Sequence, residues 1–166
     1  MTLSRKVEKV LDMSLTSIEF ASIMEDRSKR IEGNITWVED EDHSPAWVFR
    51  ANIESTAGWP LFVQGRYNPL ARTLTYVLIL KTAGRIYGLD LGKDHHNPQC
   101  NQIGEKHKHT WSEQHRDKEA YEPGDITAQV SDPVEVWQQF CKEAGIEHDG
   151  KLRKPPPMQM EMFDEY

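Results

Sequence analysis

An α+β domain, built on a five-stranded antiparallel meander sheet and packed by an N-terminal helical segment and a C-terminal helix, is the fold the sequence predicts. Three observations lead there. Apolar residues recur at three- and four-residue steps near both ends of the chain, they alternate with polar ones from Ile35 to Leu91, and the alternating segments are joined by short turns. Parallel neighbours would need crossovers of a dozen or more residues, so strands this closely spaced pair antiparallel.

The first helical segment runs from Ser4 to about Arg30, with Val7, Val10, Leu11, Leu15 and Ile18 on one face. Thr16 and Glu19 have capping-box spacing, and Gly33-Asn34 ends the segment. Strands are then expected at Ile35–Glu39, Trp47–Glu54, Leu61–Tyr67, Thr73–Lys81 and Arg85–Leu91, with turns at Ser44-Pro45, Asn68-Pro69 and Thr82-Ala83-Gly84. Thr73–Lys81 is apolar on both sides and is therefore assigned to the middle of the sheet. Pro133–Ala144 reads as the second helix: Ser131 or Asp132 caps it, Pro133 suits its first turn, and Gly145 stops it. Residues 1–150 make one domain. Residues 151–166 are a Pro-rich linker and a tail in which Met158, Met160 and Met162 alternate with polar residues, as in an added edge strand or a peptide for a partner.

A chain of 166 residues with 37% hydrophobic and 28% charged residues can bury a core without staples and is not a disordered composition. Its net charge of −7 weighs against a protein coated for nonspecific DNA binding but leaves room for a local basic pocket. The two cysteines, Cys100 and Cys141, form no Cys-x-x-Cys motif. Met1–Leu15 lacks the apolar run of a signal peptide, and no stretch approaches the roughly 20 apolar residues of a membrane helix. The expectation is a cytoplasmic protein with reduced thiols and no membrane partner.

Chemistry concentrates between Asp94 and Pro123. Five of the seven histidines (His95, His96, His107, His109, His115) lie there among Lys106, Lys108, Arg116 and Lys118, on what is expected to be a long functional connection. Drawn as a strand, Lys106–Glu113 places His107, His109 and Trp111 on one face. Thr110 with Glu113 then resembles a capping box opening a short helix on which Trp111, His115 and Glu119 sit one turn apart.

Three readings follow. In the first, the protein acts on or around nucleic acid as a ribonuclease-like enzyme without cofactor. His107 and His109 are then the acid and base on a phosphodiester, Lys108, Lys106 or Arg116 is the cation, and Tyr121 is an auxiliary donor. In the second, His107, His109 and Glu113 bind a divalent metal such as zinc, manganese or iron, with His95, His96 or His115 as a further nitrogen. His107-x-His109-x-x-x-Glu113 resembles the first metal motif of cupins over these seven residues, but the flanking glycines and the later histidine motif of that family are absent. In the third there is no catalysis: the acidic run Glu39–Asp42 and the acidic tail make the chain an inhibitor or regulator that occupies the groove of a nucleic-acid-binding protein, and the histidines are solvated surface.

The run Asn97-Pro98, Lys106-His107-Lys108-His109-x-Trp111 and Tyr121-x-Pro123, ahead of a helix bearing Trp and Phe, resembles small uncharacterised proteins of bacteria and their mobile elements over Leu74–Ile146. That resemblance implies a phage, plasmid or defence-related context, a toxin among the options. It implies no activity and no residue roles.

Overall fold

The computed structural model describes residues 15–93, 95–96 and 102–158. In chain order these form α1 (Ser17–Glu25), β1 (Arg30–Glu32), β2 (Val38–Glu39), β3 (Trp47–Ile53), β4 (Leu61–Asn68), β5 (Thr73–Leu80), β6 (Gly84–Leu91), β7 (His95–His96), β8 (Gln102–Ile103), β9 (Lys106–Ser112), β10 (Arg116–Tyr121), α2 (Pro133–Ala144) and β11 (Glu147–Asp149). The main sheet is antiparallel and has seven strands in the order β10-β9-β6-β5-β4-β3-β2. β5 stands at its middle. β1 and β11 form a small parallel pair, and β7 pairs with β8.

The fold class is α+β as the periodicities indicate, but the sheet exceeds five strands because Lys106–Tyr121 joins it as a hairpin. Neither a long connection nor a short helix after Thr110 is formed there. The hairpin turns through Arg116, whose φ of 54° is left-handed, and Ser112 Oγ accepts from the His115 amide at 3.0 Å.

At the front of the described chain, Thr16 and Glu19 complete their capping box on α1. Ile18, expected on the apolar stripe, is 81% exposed, and Ile23 supplies the buried contact instead. The helix ends early. Its last carbonyls, Ile23 O and Met24 O, accept from the buried Lys29 ammonium, a cation placed where a helix C-terminus carries partial negative charge. Burial lowers the Lys29 pKa to about 8. Ile35 is not in a main-sheet strand: it makes a parallel bridge to Leu152, which is buried. The start of the proline-rich segment is thereby tied to the core. The tail beyond Met158 and the helix expected before Leu15 fall outside the described residues.

One face of the sheet packs on α2. Asp132 accepts from the Glu135 amide, Pro133 occupies the first turn, and Gly145 closes the helix in the left-handed region at φ 68°. Its Val136, Trp137 and Phe140 are buried against Tyr76, Phe49 and Tyr87, with ring centroids 5.1 to 5.9 Å apart for Tyr76–Trp137, Phe49–Trp137 and Tyr87–Phe140. Gly65 leaves room for the Phe49 ring, which a Cβ at that position would meet at 2.1 Å. The other face carries half-exposed Thr75, Val77 and Ile79 on β5 and exposed Arg50 and Gln64 beside them. Among the described residues no helix is long and apolar enough to cross a membrane.

Candidate functional site

The site follows from strand register. β6 pairs with β9 so that Asp90 opposes His107 and Gly88 opposes His109, and β5 pairs with β6 so that Thr75 opposes Asp90. Directly opposed residues share a face. Asp90, His107 and His109 therefore converge on the side of the sheet away from α2, and all three are buried, at 7%, 1% and 3% exposure.

Three atoms meet at the centre. His107 Nε2 lies 3.2 Å from His109 Nε2 and 3.2 Å from Asp90 Oδ2, and His109 Nε2 lies 3.0 Å from Asp90 Oδ2. The far side of each ring is engaged by backbone. His107 Nδ1 is 3.1 Å from Gly104 O, and His109 Nδ1 is 3.0 Å from Asp117 O. A carbonyl oxygen only accepts, so each Nδ1 is the donor and carries the hydrogen. In the neutral rings both Nε2 lone pairs then point at each other and at a carboxylate oxygen. Three acceptors this close repel one another unless a proton or a metal ion lies among them.

Asp90 is prepared for such a role. Burial alone would raise its pKa, but hydrogen bonds from an imidazole Nε2, once a proton lies among the three atoms, and from Thr75 outweigh that and hold the carboxyl well below the ordinary carboxylate range. Thr75 Oγ1 donates to Oδ1 at 2.6 Å, which fixes the carboxylate and leaves Oδ2 facing the imidazoles.

The structure thus brings together His107 and His109 and adds Asp90, which the sequence reading did not single out. The other named residues lie elsewhere. Lys108 points to the α2 side, where it is fully buried and forms ion pairs with Asp125, at 2.8 Å, and with Glu143. Burial lowers its pKa, partly offset by Asp125. Tyr121 is on that same side, donating to Glu143 Oε1 at 3.0 Å. Lys106 donates to Ile126 O. Arg116 is exposed at the hairpin turn. Glu113 is exposed too, and its Oε1 accepts from the Ser17 amide at the start of α1 at 2.7 Å, which makes it a helix-end partner and not a ligand beside His107 and His109. His115 lies 3.8 Å from Glu119, as i and i+4 neighbours across the turn, and Trp111 anchors through Nε1 to Leu15 O. The side chains of His95 and His96 lie outside the described residues.

Asp90 carried a signal of its own. It is the acidic residue in Gly-Leu-Asp-Leu, an otherwise apolar strand, and a charge at such a position is rarely buried without a partner.

The pattern that defines a family of unknown function, DUF6978, matches residues 59–146. That span contains β4 to α2, and with them Asp90, His107 and His109. No curated protein and no solved structure matches the chain.

Proposed function

The chain belongs to this family of unknown function, which lends it no activity, and we propose from the site alone that it binds a divalent transition-metal ion on Asp90, His107 and His109. The observation that carries the reading is the convergence of two imidazole nitrogens and one carboxylate oxygen within 3.2 Å of one another, with the Nδ1 hydrogens of both rings committed to backbone carbonyls. Atoms spaced in this way would hold an ion at the usual ligand distance of about 2.0–2.1 Å. Two nitrogens and one oxygen suit zinc, iron or manganese. Such an ion would supply a polarised water or a Lewis acid for a carbonyl or phosphoryl oxygen. The protein's part is orientation: Gly104 O and Asp117 O hold the rings, and Thr75 holds the carboxylate.

The test is equilibrium dialysis of chelator-stripped protein against zinc, manganese or iron(II), followed by elemental analysis. About one equivalent is expected for the wild type, and none for Asp90→Asn or His109→Ala. Failure of the wild type to retain any of the three metals overturns the reading.

A second reading draws on the same 3.2 Å contact between the Nε2 atoms. Two imidazoles sharing one proton are an acid and base pair, and a phosphodiester such as RNA is the substrate class that pair suits. Incubating RNA with the protein, with and without chelator, separates the two: cleavage that chelator leaves intact supports the metal-free pair. The protein-binding regulator would instead take up no metal and leave RNA intact.

A further inference from the structure

Apart from the triad, a groove of about 490 Å³ lies between α2 and β11. Its floor is apolar. Val134, Trp137 and Cys141 come from the helix, and Ile146 and Leu152 come from just before and just after β11.

The wall facing the helix is the edge of a strand. β11 pairs in parallel with β1 through the backbone of Glu147 and Asp149: the Glu147 amide donates to Lys29 O at 2.9 Å, and Asp149 O accepts from the Gly33 amide at 2.8 Å. Successive residues of a strand turn their N–H and C=O groups to opposite edges, so His148, between those two, presents its amide and carbonyl on the side away from β1. No other strand pairs with β11, and both His148 and Gly150 line the groove. The His148 ring is already committed: Nδ1 accepts from Trp137 Nε1 at 3.0 Å, and Nε2 donates to Gly33 O at 2.8 Å. Among the described residues nothing bonds to the His148 amide or carbonyl. An edge left in this way is a template for a further strand.

The charge around the groove is positive. Lys142 and Lys151 are exposed at its rim and no carboxylate lines it. Among the described residues neither ammonium is paired with an acid. A strand edge, an apolar floor and two ammonium groups together suit an extended peptide in which apolar and acidic side chains alternate. Its backbone continues the β1–β11 pair, its apolar side chains meet the floor and its carboxylates meet the lysines.

This chain carries such a sequence in Met160-Glu161-Met162, with Asp164 and Glu165 following. The prolines lead it away from its own groove: Leu152 is on the groove floor, but Pro156, Pro157 and Met158 line a separate cavity with Pro45, Trp47 and Pro69. We propose that Met160–Glu165 of a second copy adds as a strand to the outer edge of β11, and that the exchange is reciprocal, each copy receiving the tail of the other.

Sedimentation velocity of the full chain, from low micromolar to submillimolar concentration, is expected to show a monomer passing into a dimer. Two charge reversals test the contact. Lys142→Glu with Lys151→Glu reverses the groove, and Glu161→Lys with Glu165→Lys reverses the tail; each double variant alone should dimerise at least about tenfold more weakly. Mixed in equal amounts they should recover the wild-type affinity, because the reversed groove then meets the reversed tail and the wild-type groove meets the wild-type tail. That recovery also reports that both variants are folded. Hydrogen exchange at the His148 amide of the wild type should slow as the dimer forms. A chain that stays monomeric throughout, a dimer that neither reversal weakens, or a mixture that stays monomeric overturns the proposal. So does a His148 amide whose protection is the same at every concentration, which would mean that the edge is closed within one copy.

Discussion

Strand β9 buries charge on both of its faces, and the two faces solve the problem differently. Toward α2, the Lys108 ammonium meets the carboxylates of Asp125 and Glu143, so positive and negative groups both come from the chain. Away from α2, one residue to either side, two imidazoles meet the Asp90 carboxylate and present three acceptor atoms to one point. The first face is closed by its own side chains. The second, among the described residues, offers an excess of acceptors to a proton or an ion. Burial and polarity, similar on the two faces, do not distinguish a structural cluster from a site. The balance of donors against acceptors does.

The comparison breaks most severely at Lys108. Replacing it by Met removes the cation and leaves two carboxylates facing a buried stem, a change that costs about 3–5 kcal/mol where one partner of a buried pair is lost. Chemical denaturation should give that loss equally with and without chelator. A loss that depends on metal would mean that the two faces are one site.

Asp90→Asn probes the other face. Because a ligand that binds only the folded state stabilises it, the wild type should gain about 2.7 kcal/mol when zinc is present at 100 times its dissociation constant. Asp90→Asn should gain nothing. Thermal unfolding with a zinc titration reads the difference, and an equal gain in the variant would remove Asp90 from the site.

How much of this was legible in the sequence depends on where each residue's partner lies. α2 was legible in full because Asp132, Pro133 and Gly145 act on their own neighbours. The hairpins from β3 to β6 were legible because alternation and turn residues are local as well. Placing His107 and His109 on one face needed only the period of two. β9 and β10 were not legible as sheet, because Lys-His-Lys-His is buried only by virtue of Asp90, Asp125 and Glu143, which are 17 to 35 residues from the groups they satisfy. Ile35 failed for the same reason, its partner Leu152 being supplied by the other end of the chain.

The two faces also differ in how acid affects them. In metal-free protein the folded-state pKa of Asp90 lies below its unfolded value, so its stabilising contribution is fully present above about pH 4 and is lost as pH falls toward the folded value. The stability difference between wild type and Asp90→Asn in chelator should be flat from about pH 5 to 8 and narrow below about pH 4. Urea unfolding across this range checks the trend. A difference that widens on acidification would reverse the assigned direction.

The smallest expected effect belongs to Glu113, and it sharpens the comparison by marking where the site ends. Its carboxylate takes the Ser17 amide at the exposed start of α1, so it neutralises an orphan donor and favours the positive end of a helix. Losing such a helix-end partner costs about 1 kcal/mol. Glu113→Ala should therefore lower stability by about that amount with metal affinity unchanged, whereas the His107-x-His109-x-x-x-Glu113 motif taken as a ligand set requires metal affinity to collapse. Denaturation and zinc dialysis on the same variant decide between a residue that holds α1 to the β9–β10 turn and one that holds an ion.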